Sequence, residues 1–248
     1  MTKITFLGTA NAIPNKQQQN SHLVIETNAR YILIDCVGTP VVRLQEAGVD
    51  PLKITDLILT HFHPDHVSGV PLFLMDQWLM GRKEPLAIFG LEDVLMRVDQ
   101  LMNLFRWETW SGFYPVEFHP LPEIEQFQMI NEGQIRVWSS PVHHMIPGIG
   151  LRMAFPDGIM AYSSDTAPCE AVIRLASGAD VLIHEATGEE LGHTSPEQAG
   201  QIAQQAGVKR LYLTHYPGNI DLQEYKNRAR EWFSGEVILA QDMMVIAF

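Results

Sequence analysis

Basic residues are in short supply: 17 lysines and arginines stand against 29 aspartates and glutamates, a formal net charge of −12 over 248 residues. Gripping a nucleic-acid backbone regardless of sequence needs clustered cations, so that role is disfavoured, while a small phosphorylated substrate is not. Cysteine is scarcer still. Cys36 and Cys169 form no CxxC pair and no disulfide framework, which fits a reducing cytoplasm. No uninterrupted apolar stretch nears the roughly 18 residues of a membrane span. MTKITFLGTA has neither a basic opening nor a long apolar segment, and reads as a first strand rather than a signal peptide. A cytoplasmic protein with no membrane partner is therefore expected. Nothing low-complexity or linker-like interrupts the chain, so the expectation is one domain over residues 1–248.

What is present is a patterned, core-forming chain. Alternating and apolar runs predict strands at 3–7, 22–26, 31–35 and 56–60, with a short helix over 40–47 stopped by Gly48. Helical spacing follows at 70–80 and 92–105, then a strand-rich stretch at 116–118, 126–130, 135–139, 150–155 and 158–163. From there helices at 172–177, 195–206 and 222–233 alternate with strands at 181–184, 210–214 and 237–239. Ser195-Pro196-Glu197-Gln198 is a strong helix start, with serine as cap and proline at the first helical position. Strand clusters interleaved with helices fit an α/β sandwich, two sheets covered by helices on their outer faces.

Residues 60–66, THFHPDH, follow the apolar run Leu57–Leu59 and pack three histidines and an aspartate into seven positions. Packing does not call for such crowding. His61 and His63 point the same way if the segment stays extended. Pro64 turns the chain, directing Asp65 and His66 to a neighbouring point. One metal per pair is the natural geometry, and neither pair completes a site, so distant ligands are required. The candidates are His22, His119, His143, His144, His184, His193, His215, Asp165 and Glu185. DLILTH, DVLIHE and RLYLTH each run a strand into a histidine, and strand ends are rigid platforms for a site. Imidazole and carboxylate donors without thiolate suit zinc, with manganese and iron as the other candidates.

THFHPDH resembles the HxHxDH signature of the metallo-β-lactamase fold, and the chain is most similar to the ribonuclease Z group. FLGTANAIPNK, ILIDCVGT, LTHFHPDHVSGVP, HMIPGIGLR, YSSDT, VLIHEATG with a following HTS, and LTHYP carry the likeness in collinear order. The resemblance implies an αββα metallo-β-lactamase fold, two mixed β-sheets flanked by helices, and two divalent metal ions. It implies that His61, His63 and His144 hold one metal, that Asp65, His66 and His215 hold the other, and that Asp165 bridges. His143 is the alternative to His144. Asp35 matches an aspartate that orients ligand histidines. A hydroxide between two such metals attacks in line while the metals polarise the phosphoryl or carbonyl oxygen, and Asp65 can orient it. Glu185 and His193 resemble a pair that transfers a proton to the leaving oxygen. His22, His119 and His184 are expected to be structural, and Trp107, Trp110, Phe105 and Phe113 to be packing residues. The resemblance is also compatible with a homodimer.

Three features depart from the tRNA-processing members of that group. Those carry a long arm between the ligand histidine and the bridging aspartate, but His144 and Asp165 are only 21 positions apart. The early loop reads PNKQQQN, with glutamines where the group has an arginine. The step from Glu185 to His193 is short. All three fall on substrate recognition. The expected activity is therefore a dinuclear-metal phosphodiesterase on a small diester, with nucleic acid the less favoured partner. Endonucleolytic tRNA 3′ processing, and lactone, ester or thioester hydrolysis on the same site, are the alternatives.

Overall fold

The computed structural model describes residues 2–248. The first half supplies strands β1 (Lys3–Gly8), β2 (His22–Glu26) and β3 (Tyr31–Ile34), helix α1 (Pro40–Glu46), strand β4 (Asp56–Ile58), helices α2 (Pro64–Val67) and α3 (Val70–Leu79), strand β5 (Leu86–Leu91), helix α4 (Glu92–Leu104) and strand β6 (Val116–Leu121). The second supplies β7 (Phe127–Glu132), β8 (Ile135–Pro141), β9 (Ile149–Phe155), β10 (Gly158–Tyr162), α5 (Glu170–Ala176), β11 (Val181–Glu185), α6 (Pro196–Ala206), β12 (Arg210–Thr214), α7 (Leu222–Arg230), β13 (Glu236–Leu239) and β14 (Val245–Ala247). They form two seven-stranded sheets, ordered β14-β1-β2-β3-β4-β5-β6 and β13-β12-β11-β10-β9-β8-β7. Each is mixed: β1, β2 and β3 pair antiparallel before β3, β4, β5 and β6 continue in parallel, and the second sheet repeats the scheme in mirror order. Among the described residues no helix is long and apolar enough to cross a membrane.

The two-residue period of the strands sorts side chains between layers. On β11, Val181 and Ile183 are buried in the core between the sheets, while Leu182 packs with Ala199, Ile202 and Ala203 of α6. Phe6 of one sheet stacks on Tyr212 of the other, ring centroids 5.9 Å apart. The resulting order is helix, sheet, sheet, helix. Helix α6 starts with the Ser195 capping box, in which the serine side chain accepts from the Gln198 amide and Gln198 answers the Ser195 amide. It ends at Gly207, whose φ of +65° is left-handed.

Strand direction places the site. Strands β1, β3 and β4 run the same way, as do β10, β11 and β12, so their outgoing loops gather along one rim. That is where an open α/β sheet offers a crevice.

Three elements escape the periodicity. The run over 86–91 is apolar and continuous, as a strand buried on both faces must be, and forms β5 between two helices. The three-residue β14 closes the far edge of the first sheet against β1. Pro64 does not merely turn the chain but opens the single-turn helix α2. Strand β4 stops two residues short of expectation because the Thr60 amide leaves the ladder for Asp35 Oδ1, at 2.8 Å. The aromatic run packs: Trp78 stacks on Trp110 at 5.3 Å, and Trp107 and Trp110 both meet Phe113 edge-on. Phe105, Leu79 and Met80 instead face solvent.

Candidate metal centre

Every side chain of the cluster lies at or just past the end of a strand on that rim. Beyond β4 the backbone stays extended through His63, the N-cap of α2 with ψ 149°, so His61 and His63 turn their rings to one point. Asp65 and His66 then rise from α2. His144 arrives from the loop after β8, Asp165 from the loop after β10, and His215 directly follows β12. His61, His63 and His144 form one group of convergent donor atoms, and Asp65, His66, Asp165 and His215 form a second.

Hydrogen bonds on the far sides of the rings fix what each presents to the centre. Thr60 gives its hydroxyl proton to Asp35 and so accepts from His61 Nδ1 at 3.1 Å. His66 Nδ1 donates to Asp35 Oδ2 at 2.7 Å. His144 Nδ1 donates to the Gly192 carbonyl at 2.8 Å. Thr187 gives its proton to the His215 carbonyl and accepts from His215 Nδ1 at 2.8 Å. Four Nε2 atoms are thereby aimed at the centre, each a lone pair wherever its ring is neutral. His63 Nδ1 sits 3.1 Å from one, on His61, and 3.0 Å from another, on His144. A proton on His63 Nδ1 can bridge to one of them at a time, while three imidazole nitrogens converging on one point are also the donor set of a metal site.

Asp165 is the hub. Its Oδ2 lies 3.4 Å from Nε2 of both His66 and His215, 3.9 Å from His61 Nε2 and 4.0 Å from His144 Nε2. Asp65 Oδ2 is 3.5 Å from His215 Nε2 and 3.7 Å from His66 Nε2. His66 Nε2 and Asp165 Oδ1 are buried without a hydrogen-bond partner, an expensive state that bound cations would relieve. The donor set therefore fits two divalent ions.

Electrostatics divide the two groups. Burial holds His61 well below its ordinary 6.5, and lowers His63 and His144 as well, which keeps their lone pairs free. Burial also pulls on His66, but the Asp165 and Asp35 carboxylates outweigh it and push that imidazole well up. Asp165 is held well below the carboxylate range: burial opposes this, and His215 and His66 prevail. The second group carries two carboxylates, Asp65 and Asp165, and is the more cation-hungry.

Beside the centre stands a dyad. Glu185 ends β11 on the same face as Val181 and Ile183, and is 1% exposed. Its Oε1 accepts from the Thr166 and Thr194 amides and from His193 Nδ1, at 3.1, 3.1 and 2.9 Å, and its Oε2 from the Thr187 amide at 2.9 Å. Burial raises the carboxyl above its usual range, and these four donors support the charged form against that penalty. Burial works against a charge on His193, but its hydrogen bond to Glu185 lifts that imidazole above 6.5. The His193 ring lies between His144 and His215, centroids 5.0 and 5.7 Å away.

The other histidines stay outside. His143 is exposed, one residue from the ring that enters the cluster. His184 has the parity of Leu182 and faces the helices, donating to the Glu185 carbonyl; burial drops it to about 4. His22 donates to the Asn20 carbonyl and is likewise lowered to about 4 by burial. His119 stacks on Phe89 near the surface. Thr60, Thr187 and the Gly192 carbonyl, which set three tautomers, went unread in the sequence. Only Thr60 had a signal, its place in LTH.

Backbone conformation also concentrates here. Asp35, Ser164 and His215 have φ of +60°, +55° and +52°, a region costly for side-chain-bearing residues. Asp35 takes three donors, the Thr60 amide, the Thr60 hydroxyl and His66 Nδ1. Asp35→Asn is expected to weaken metal binding by about 10- to 100-fold, the usual effect of losing a ligand's orienting partner. Metal titration would check this, and unchanged affinity at both sites would remove Asp35 from that role.

Compared with known proteins, the chain matches the family model described as Anti-Pycsar protein Apyc1 over residues 2–234. It is 28% identical to a ribonuclease Z of Methanothermobacter thermautotrophicus, covering 99% of this chain and 96% of that one. That alignment spans 303 positions, 55 more than the 248 residues of this chain. Human tRNase Z, short form, superposes with a TM-score of 0.80 at 26% identity, covering 99% and 98% of the two chains. The metallo-β-lactamase fold protein YhfI of Bacillus subtilis superposes with a TM-score of 0.83 at 23% identity, again over 99% and 98%.

Proposed function

The chain belongs to the family of the anti-Pycsar protein Apyc1, and from that premise and the centre's geometry we propose a single-domain, two-metal phosphodiesterase of the ribonuclease Z-like group that cleaves a compact phosphodiester in the cytoplasm. The observation that carries this reading is one buried oxygen, Asp165 Oδ2, within 3.4–4.0 Å of four Nε2 atoms, with the His193–Glu185 dyad at its side. His61, His63 and His144 would hold one ion, Asp65, His66 and His215 the other, and Asp165 both. Zinc suits these donors, with manganese or iron as alternatives. Bound there, two divalent ions supply Lewis acidity at the phosphoryl oxygen and a nucleophile from water at neutral pH.

The chain's own residues supply the rest. Glu185 fixes His193 with Nδ1–H toward itself, leaving Nε2 to carry the mobile proton. Protonated, His193 delivers that proton to the leaving oxygen as the P–O bond breaks, and Glu185 stabilises the imidazolium. Asp65 Oδ2, beside His66 and His215, can orient the attacking water.

A compact substrate is supported by what the rim lacks. Residues 144–165 are consumed by β9, β10 and the turn at Asp157, leaving no protruding arm. The net charge of −12 repels a polyanion. The second reading, tRNA 3′ processing, draws on the ribonuclease Z relatives. Metal content per chain, measured with hydrolysis of bis-p-nitrophenyl phosphate, 3′,5′-cyclic nucleotides, precursor tRNA, a lactone and a thioester, separates the cases. Two ions with diester turnover and intact tRNA is the expected result. Defined tRNA cleavage would restore processing, turnover of only the lactone or thioester would move the chemistry to acyl groups, and near-zero metal after reconstitution would sink the centre.

A further inference from the structure

Of the seven candidate ligand positions, His215 alone has a left-handed backbone, with φ +52°. A residue with a side chain stays in that region only where its surroundings hold it from several directions. Thr187 does so on one side, meeting the His215 carbonyl at 2.9 Å and Nδ1 at 2.8 Å. The other side is held by a segment remote in sequence. Residues 9–20 follow β1, and the ends of this loop grip the two neighbours of His215. The Tyr216 amide donates to the Thr9 carbonyl at 3.3 Å, and the Asn11 amide to the Tyr216 carbonyl at 3.4 Å. Ser21, whose hydroxyl donates to the Ala10 carbonyl, stands 3.3 Å from the Thr214 hydroxyl.

Asp242 fixes the loop itself. Here the chain crosses from the second sheet to the first: the Ala240 amide donates to the Leu213 carbonyl of β12, and the Met243 amide to the Phe6 carbonyl of β1. At the crossing the largely buried Asp242 carboxylate joins both ends of the loop. Its Oδ1 accepts the Thr9 hydroxyl at 2.7 Å, and its Oδ2 the Gln19 amide at 2.9 Å. Arg43 of α1 supplies the opposing charge, 2.7 Å from Oδ2, and its Nε donates to the Leu7 carbonyl at 2.9 Å. Bonds to an ionised group are the stronger kind, which suits a single carboxylate to this task. A hollow of about 500 Å³ borders Gln18, Tyr216 and Asp242, so hydrogen bonds rather than close packing restrain the segment on that side. Asp242 makes no hydrogen bond or ion pair with any candidate ligand or with the Glu185–His193 dyad.

We propose that Asp242 is a positioning residue for the metal centre. Through Thr9 and Tyr216 it holds His215 in its left-handed conformation, and so aims Nε2 at the ion that Asp65, His66 and His215 would share. The inference rests on the two-metal reading and adds to it a residue outside the ligand set. Its contacts lead to His215 and to none of His61, His63 and His144, so its effect falls on one ion.

The test is chelator competition on the zinc-loaded, full-length protein, which reads the affinity of each ion separately. His215→Ala identifies the ion concerned. Asp242→Ala should weaken that ion about 10- to 100-fold, the usual effect of losing the support behind a ligand, and leave the other unchanged. Thr9→Val removes the hydroxyl that Asp242 accepts but keeps the Arg43 pair; it should weaken the same ion, and decides the matter if Asp242→Ala does not fold. In the His215→Ala background neither change should weaken that ion further, because residues that act through one another are not additive. Equal weakening of both ions, unchanged affinity for both, or a full further loss in the His215→Ala background overturns the positioning role while the two-metal reading stands. A wild type that holds fewer than two ions after reconstitution overturns the two-metal reading, and this inference with it.

Discussion

Replacing Asp165 with alanine should reduce metal content from two ions per chain to less than one, and hydrolysis by about 10⁴-fold or more, equivalent to about 5–6 kcal/mol of barrier. The size follows from position. Asp165 Oδ2 is the one carboxylate oxygen within 4.0 Å of Nε2 on His61, His66, His144 and His215 together. Without it the first group keeps three imidazoles and no negative charge, and the second keeps only Asp65 to offset a dication. The metal-free protein should suffer too, since Asp165 is the first of the carboxylates that hold a proton on buried His66. Breaking one side of a buried pair costs about 3–5 kcal/mol. Metal analysis together with melting of the chelated protein would measure both effects. Two retained ions and near-normal turnover would show that Asp165 does not bridge.

The second large effect concerns the dyad. His193→Gln should retain both ions yet lose about 10²–10⁴-fold in kcat on a diester with an alkoxide leaving group, the usual contribution of a general acid. On bis-p-nitrophenyl phosphate the loss should be below about tenfold, because p-nitrophenolate departs without a proton and little general-acid help is available to lose. The pH profile carries the same signature. His193 is raised above 6.5 by Glu185, so the acid is fully loaded below that value, and activity declines as pH rises through the raised pKa. Stability has the same sign: the dyad's contribution is complete below 6.5 and fades as pH climbs through the folded value. Glu185→Gln removes the raising charge and should move the alkaline limb toward lower pH. An alkaline limb identical in wild type and both variants would assign it to another group.

Legibility from sequence followed the strength of local pattern. Residues 22–26 and 210–214 matched their strands to the residue, because apolar runs bounded by turn formers leave little choice. Element β5 was missed because a short apolar run between helices lacks any period to read, and β14 because three residues hold no period at all. Within the site, seven candidate ligand positions fell into two adjoining groups because strand ends align them in order along the chain. His143 against His144 needed three dimensions: neighbours in sequence point apart, and only the rim decides which one enters. Thr187 and Gly192 were invisible, since any hydroxyl or carbonyl can orient a ring and only its placement makes it the partner.

Asp65 and His215 stand 150 residues apart, and His63 and His144 stand 81 apart. Bound ions at these sites would therefore act as cross-links between the two halves of the chain, a task its free, buried Cys36 and Cys169 do not perform. Closing loops of that length costs an unfolded chain much of its freedom, although the cost grows only logarithmically with length. The same ions that serve chemistry would thus bias the folding equilibrium by mass action, rewarding only the state in which both sheets have met. With ions bound there, cofactor supply and structural integrity would become one variable: a starved cell would lose the fold's reserve along with the proposed activity.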